Sequence, residues 1–161
     1  MGAVPVAKRS RPNLQVEPSP LFKEIKRKFM DNLKFTIPGK PEYMTMIRLA
    51  TSSIASEAGF DVEQADDIKA AVTEACKTVS CHGNEGFSDK YEIDFTVDKG
   101  IVEITIIDAC EKHDLQKMSE QCANCPQEGD ISMVMLRSLM NCVKVGRDED
   151  GHKFINMVKR V

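Results

Sequence analysis

Residues 35–83 carry the strongest folding signal in the chain and read FTIPGKPEYMTMIRLATSSIASEAGFDVEQADDIKAAVTEACKTVSCHG. In the first half of this stretch, the residues of one helix face recur at spacings of three and four: Met44, Ile47, Thr51, Ile54 and Ala55. This spacing is typical of a helix with one buried face. Pro41 suits the first turn of such a helix and Gly59 suits its end, so we predict a first helix between them.

A second helix is predicted directly after the first. Asp61 is a suitable N-cap residue, and Gln64, three positions later, completes the pattern of a capping box. The residues of a second buried face follow at helical spacing: Ile68, Ala71, Val72, Ala75 and Val79. Gly83 is a natural end for this helix.

Strands are predicted on both sides of the two helices. Five are expected, over residues 33–37, 91–97, 101–107, 142–145 and 153–158. A third helix is marked by Ile131, Val134, Met135, Ser138 and Leu139. Residues 108–129 lack clear periodicity and are predicted to form a lid-like loop. Because consecutive strands are joined by short turns, we predict an α/β fold: a two-layer sandwich in which a mainly antiparallel, mixed sheet carries three helices on one face.

The composition of the chain excludes several classes of protein. At 161 residues the chain fits one domain with an appendage, and a hydrophobic content of 42% is ordinary for a globular protein. The formal net charge of -3 gives no general electrostatic reason to bind nucleic acid. No apolar run approaches the roughly 20 residues that cross a bilayer, and the N-terminus lacks the apolar middle of a secretion signal. We therefore predict a cytoplasmic protein without direct nucleic-acid or membrane binding.

Residues 1–32 differ in composition from residues 33–161, which we predict to be the folded domain. The extension holds four of the seven prolines and seven basic residues, and its first half is expected to be extended or disordered. The apolar residues near its end lie at helical spacing: Phe22, Ile25, Phe29 and Met30. We predict a short amphipathic helix there. It either docks on the domain or serves as an arm for a partner or a membrane surface, and we favour docking.

The order of these elements and three stretches of sequence resemble the GHKL (Bergerat-fold) histidine-kinase-like ATPase superfamily, and most of all the serine-kinase anti-sigma factors. The stretches are residues 35–60, residues 67–83 (DIKAAVTEACKTVSCHG) and residues 128–145 (EGDISMVMLRSLMNCVKV). They are similar to the family's opening strand and first helix, to the helix that bears the ATP-site Glu and Asn, and to the Gly-rich loop with the third helix. The resemblance covers about residues 33–161 and implies the Bergerat fold.

The resemblance also implies a nucleotide site, of which this chain keeps only some positions. Glu74 stands at the general base and Thr78 at an Asn that holds Mg²⁺. Asp108 stands at the residue that hydrogen-bonds the adenine amino group, and Cys110 replaces a glycine of the adenine loop. Gly129 opens the later phosphate turn, which here reads Gly-Asp-Ile-Ser over residues 129–132.

These replacements remove most of the groups that handle the phosphates. A Thr hydroxyl is a poor ligand for Mg²⁺, and glycine is needed where the backbone approaches a phosphate closely. We therefore expect ATP and Mg²⁺ binding to be weak or lost. As an alternative to any role in a site, Glu74 and Asp108 persist as a helix-surface carboxylate and a strand-end cap.

The chain has six cysteines, which in a reducing compartment are packing residues, reactive thiols or metal ligands. We predict Cys76 and Cys142 to be packing residues. The other four are expected around the nucleotide pocket that the resemblance implies: Cys81, Cys110, Cys122 and Cys125. These four could hold Zn²⁺ or an iron–sulfur cluster, with His82 and His113 as substitute ligands. The alternatives are a reversible dithiol at the Cys-x₂-Cys pair and inert thiols.

The resemblance implies a regulatory protein that holds a sigma factor or an anti-anti-sigma (STAS-type) partner on its helical face, with the state of the pocket biasing that binding. The candidate contacts are exposed residues of the first helix: Arg48, Ser52, Ser56 and Glu57. One alternative is an active ATP-dependent protein-serine kinase that uses Glu74, so whether the protein is an enzyme stays open. Another is a redox or cluster-carrying accessory module. The resemblance is also compatible with a homodimer.

Overall fold

The computed structural model describes residues 30–80, 88–109 and 130–161. In chain order, the helices and strands of these ranges are β1 (Asp31–Pro38), α1 (Pro41–Glu57), α2 (Val62–Val79), β2 (Lys90–Asp98), β3 (Ile101–Asp108), α3 (Ile131–Leu139), β4 (Cys142–Arg147) and β5 (Lys153–Arg160). The five strands form one sheet in the order β1-β2-β3-β5-β4, and every neighbouring pair is antiparallel. The predicted fold class is confirmed.

The sheet has one apolar face because side chains alternate between its two sides. The residues at the centre of that face are fully buried: Ile93, Phe95, Ile104, Ile106, Ile155 and Met157. Strands β2 and β3 pair with Tyr91 opposite Asp108. They are joined at Gly100, whose φ of +74° is favourable only for glycine. The core of the domain therefore lies between this face and the helices that pack on it.

Helices α1 and α2 form as the sequence predicts. Pro41 occupies the first turn of α1, and Gly59 follows its end. At the start of α2, the Asp61 side chain accepts the N–H of Gln64, and the Gln64 side chain accepts the N–H of Asp61. All predicted residues of the two inner faces are buried. The capping box and both faces are thus confirmed, and α2 lies between α1 and α3, over β3 and β5.

Helix α3 forms where it is predicted, but the residues that mark it in the sequence are not those it buries. Met133 and Leu136 are buried in the helix, and Met140 is buried just after it. Ile131 is 88% exposed and Val134 is 58% exposed, so these two of the residues that mark the helix in the sequence lie outside its buried face. The reason is that apolar residues surround this short helix on most sides, and a spacing of three or four therefore fits more than one face.

Cys142 also differs from its prediction as a packing residue. It is the first residue of β4 and is exposed. Since the next residue, Val143, takes the buried position, the alternation of the strand turns Cys142 outward. Cys76 is fully buried in α2, as predicted.

Other expectations lie partly outside the described residues. These include the structure of residues 1–29, the helix end at Gly83 and most of the lid-like loop. Strand β1 begins at Asp31, slightly before the predicted start of the first strand. Among the helices that the structure describes, none is long and apolar enough to cross a membrane.

Candidate functional site

The centre of the candidate site is the carboxylate of Glu74, in the second half of α2. The buried neighbours Ala75 and Cys76 fix the rotation of the helix, and Glu74 lies half-buried at the edge of the core. Ser132, in the first turn of α3, donates a hydrogen bond from Oγ to Oε1 of Glu74 at 2.6 Å. This contact holds the start of α3 against α2. Glu74 was predicted as a site residue, but its pairing with Ser132 was not.

Thr78 lies one turn after Glu74, as the four-residue spacing predicts. Its Oγ1 donates a hydrogen bond to the main-chain oxygen of Glu74 at 2.8 Å. The hydroxyl therefore keeps only neutral lone pairs for any other ligand. Mg²⁺ prefers carboxylate oxygens in a near-octahedral set, and the Glu74 carboxylate, which accepts one bond from Ser132, keeps further lone pairs. Thr78 thus offers Mg²⁺ a weaker ligand than a carboxylate oxygen would.

Asp108 belongs to a second polar cluster, at the end of β3. Its side chain is buried and accepts a short hydrogen bond from Oγ of Ser88. The main-chain N–H of Ser88 donates to the hydroxyl of Tyr91 at 2.9 Å. That hydroxyl also lies 2.6 Å from Oγ of Ser80 and 3.0 Å from the main-chain oxygen of Cys76. We call this set of residues the Tyr91 cluster: Cys76, Ser80, Ser88, Tyr91 and Asp108.

Burial determines the chemistry of the Tyr91 cluster. It raises the pKa of Tyr91 to about 12, so the phenol stays neutral across the physiological range. It likewise raises the pKa of the Cys76 thiol to about 12, which makes that cysteine inert. Within this cluster, Asp108 is satisfied by a protein hydroxyl, as a strand-end cap would be.

The Tyr91 cluster also fixes the ends of two segments that lie outside the described residues. Ser80 precedes residues 81–87, and Ser88 follows them. Ala109 precedes residues 110–129, and its N–H donates to the main-chain oxygen of Lys90 at 3.0 Å. The chain positions just before Cys81 and Cys110 are therefore held on the same side of the fold. The remaining predicted site residues lie outside the described ranges: Cys81, Cys110, Cys122, Cys125 and Gly129.

Helix α1 presents a second feature, an apolar side that faces away from the core. Tyr43, Met46 and Leu49 are 39%, 43% and 69% exposed. They follow one another at spacings of three, so they lie on neighbouring positions of the helix surface. The sequence analysis named only polar residues of this helix as contacts: Arg48, Ser52, Ser56 and Glu57. Three of these are exposed and Ser52 is half-buried.

Metal-ligand types also meet in the turn between β4 and β5. Ligand atoms of Asp148, Asp150 and His152 lie within 4.8 Å of one another. Oδ1 of Asp148 accepts the N–H groups of Asp150 and His152, at 3.0 and 2.8 Å. These hydrogen bonds explain the clustering as the geometry of the turn itself.

Comparison with known families and proteins extends this description. Residues 37–159 match the family model described as a histidine kinase-like ATPase domain. The chain is 32% identical over 124 residues to the serine-protein kinase RsbW of Oceanobacillus iheyensis, which covers 71% of this chain and 78% of the relative. It is 30% identical over 127 residues to the serine-protein kinase RsbW of Bacillus pumilus, which covers 72% and 78%.

One solved structure is similar in fold. It is a chain from the crystal structure of the SiaB–SiaC complex of Pseudomonas aeruginosa, with a TM-score of 0.53. The match covers 88% of this chain and 96% of the other at 11% sequence identity. At that identity the likeness concerns the arrangement of helices and strands alone.

Proposed function

The chain belongs to the family of histidine kinase-like ATPase domains, and on that basis we propose that it is a regulatory binding protein of a bacterial partner switch. Its first partner is an anti-anti-sigma (STAS-type) protein, and its second is a sigma factor. The relatives named serine-protein kinase RsbW support this class of function. The observation that carries the proposal is the exposed apolar side of α1.

The chemistry of α1 suits a protein partner. Tyr and Met are enriched in protein interfaces, and a few such residues supply most of the binding energy. Tyr43, Met46 and Leu49 form the apolar centre, with Arg48 and the end of α1 at Glu57 as a polar surround. A charged side chain in that centre is expected to cost about 2 kcal/mol or more, which is at least roughly a 30-fold loss of affinity.

A matched pair of variants tests this surface. Leu49→Asp places a charge on the proposed interface, and Val62→Asp places the same charge on an apolar residue of α2 that is 80% exposed. Asp is also favourable at the start of a helix, so the control is expected to fold. Titration calorimetry against a STAS-type anti-anti-sigma protein that binds the unsubstituted chain should show a large loss of affinity for Leu49→Asp alone. Equal affinities for the two variants would refute the proposed surface.

Kinase activity is the second candidate, and it is supported by the serine-protein kinases among the relatives and by the carboxylate of Glu74. In the structure the Glu74 carboxylate accepts the hydroxyl of Ser132 in the same chain, so a serine of the partner would have to replace Ser132 to reach it. Phosphate transfer from ATP to the STAS-type protein, absent in Glu74→Gln, would establish this activity. We expect no transfer, because Thr78 and the lost glycines leave few groups to hold Mg-ATP. A rise of several degrees in melting temperature on adding millimolar Mg-ATP would contradict that expectation.

We further propose that the four cysteines outside the described residues form a zinc or iron–sulfur site: Cys81, Cys110, Cys122 and Cys125. The proposal is supported by the Tyr91 cluster, which holds the positions before two of them on one side of the fold. Anaerobic purification with metal and sulfide analysis tests it. Ser replacements of Cys122 and Cys125 should remove the metal, while Cys142→Ser, at an exposed site on β4, should retain it. Retained metal in the double variant would exclude this ligand set.

A homodimer through the open face of the sheet is the last part of the proposal. Alternation along β3 and β5 places half-buried Ile101, Ile107, Phe154 and Val158 on the side opposite the core. Gly146 lies opposite Phe154 and leaves room for its ring, since a Cβ there would come within 2.7 Å of it. Sedimentation equilibrium tests the dimer, and Phe154→Lys should yield monomers.

A further inference from the structure

A groove lies between the start of β1 and the last turns of α1. Its volume is about 510 Å³, and its lining residues are Asp31, Asn32, Leu33, Ser53, Ile54, Glu57 and Val97. Leu33, Ile54 and Val97 give it an apolar floor. Asp31 and Glu57 are both exposed and place two carboxylates at its edge. An apolar floor with an acidic edge suits an amphipathic segment with basic residues.

The groove lies where the first 29 residues join the domain. Asp31, one of its lining residues, follows Met30, the first described residue. The segment just before it, residues 21–29, reads LFKEIKRKF. Phe22, Ile25 and Phe29 recur at spacings of three and four, so they share one side of a helix. Four of the other residues in the segment are basic. The family match begins only at residue 37, so this segment lies outside the shared domain.

Charge also favours contact between the two parts. Residues 1–29 contain seven of the 22 Lys and Arg residues and two of the 25 Asp and Glu residues. They therefore carry a formal charge of +5, and residues 30–161 carry −8. Because the segment is covalently joined at the edge of the groove, its effective local concentration is on the order of millimolar or higher. Even a weak contact is then largely formed within one molecule.

We propose that residues 21–29 dock in this groove as an amphipathic helix of the same molecule. Phe22, Ile25 and Phe29 pack on the apolar floor, and the basic residues lie toward Asp31 and Glu57.

Docking has a consequence for the partner surface, which rests on the proposed function. Ser53, in the groove wall, lies one turn after Leu49, and Glu57 lies one turn after Ser53. The groove thus continues the exposed side of α1 toward its end. A docked segment would cover Glu57 and crowd the partner site, so docking and partner binding would compete.

The absence of tryptophan from the chain allows a direct test. In the full-length protein, Phe22→Trp gives a single tryptophan within the proposed helix, whose emission can be excited selectively over that of the two tyrosines. The reference is a synthetic peptide of residues 1–30 with the same substitution. We expect blue-shifted emission in the protein and iodide quenching at least about threefold lower than in the peptide. Equal quenching in protein and peptide would overturn the proposal.

Two further variants locate the contact. Leu33→Lys is made in the Phe22→Trp protein. It removes part of the apolar floor of the groove and adds a positive charge that repels the basic segment of residues 21–29. Leu33 is 38% exposed, so the domain is expected to remain folded. Val62→Lys is the matched control on α2. Quenching should rise to the peptide value in the first variant only, and identical quenching in both would reject this groove. Protection that disappears on dilution would assign the segment to a second copy and also overturn the proposal.

This assay contains no partner, so its result is independent of the proposed function. Competition is measured separately, as the affinity of the STAS-type protein for full-length Phe29→Asp, in which docking is impaired. We expect the STAS-type protein to bind Phe29→Asp about tenfold more tightly than it binds the unsubstituted protein. If the fluorescence shows docking but the affinity stays unchanged, the groove assignment holds and the competition fails.

Discussion

Tyr91→Phe should destabilise the domain through a single atom. The phenol ring is fully buried, and the substitution keeps the ring while it removes the hydroxyl. That hydroxyl accepts the main-chain N–H of Ser88 at 2.9 Å and lies within bonding distance of Ser80 and of the Cys76 carbonyl. The protein would lose the point that joins the end of α2 to Ser88, just before β2.

The size of the stability loss depends on which buried polar groups lose their hydrogen-bond partners. Ser80 keeps the main-chain oxygen of Cys76, at 2.8 Å, as an acceptor. The N–H of Ser88 keeps no partner among the described contacts, and Ser88 is buried. A buried donor without an acceptor costs about 1–3 kcal/mol. We therefore expect a loss of about 2 kcal/mol, which lowers Tm by roughly 4–8 °C for a domain of this size.

The chain supplies its own control, since it has only one other tyrosine. Tyr43 is 39% exposed on α1, and Tyr43→Phe should change stability by less than about 0.5 kcal/mol. Urea unfolding followed by far-ultraviolet circular dichroism measures both variants in the same buffer. If Tyr91→Phe falls within 0.5 kcal/mol (about the error of such a comparison) of Tyr43→Phe, the Tyr91 cluster does not stabilise the fold as argued.

Further outcomes are expected from the same structure. Gly39→Ala should destabilise by roughly 3 kcal/mol or more, because its Cβ would overlap the main-chain oxygen of Ser88. Gly59→Ala should cost only about 1 kcal/mol, since its φ of +87° is strained for alanine but the space around it is open; urea unfolding that reverses this order would contradict the packing. Peptide mapping after brief alkylation should find Cys142 labelled and Cys76 unlabelled until the protein unfolds. Burial raises the pKa of Cys76 from 9.0 to about 12, so its neutral thiol supports the fold fully below about pH 9 and this support is lost as pH rises toward 12. Cys76→Ala should therefore show a weaker alkaline loss of stability.

The sequence predicted those parts of the fold that depend on local pattern. The inner faces of α1 and α2 follow a regular spacing over 17 and 18 residues, and the Asp61–Gln64 capping box lies within one turn. Helix α3 has only nine residues, and apolar residues lie on most of its sides. Its buried face is decided by what it packs against, which a single sequence does not contain.

In the candidate site, too, the contacts between residues close in sequence could be predicted, and the contacts between distant residues could not. The relation between Glu74 and Thr78 is one helical turn and could be predicted. The Ser132–Glu74 bond joins residues 58 positions apart, and the Ser88–Asp108 bond joins residues 20 apart. Hydroxyl groups are common on the surface and carry no pattern that marks a buried partner. Such pairings become visible only when the helices and strands have been assembled.

The hydrogen bonds of Glu74 and of Tyr91 indicate the route by which a ligand at the candidate site could change partner binding. Glu74 contacts α3 through Ser132, and the end of α2 contacts β2 through Tyr91. The proposed partner surface lies on α1, which packs on the same α2. A signal from the site to α1 through the described residues therefore passes through α2. Ala71 and Ala75, in its inner face, are fully buried, and close packing there favours movement of α2 as a rigid body over local adjustment. The N-terminal segment needs no such path, because α1 itself forms one wall of its proposed groove.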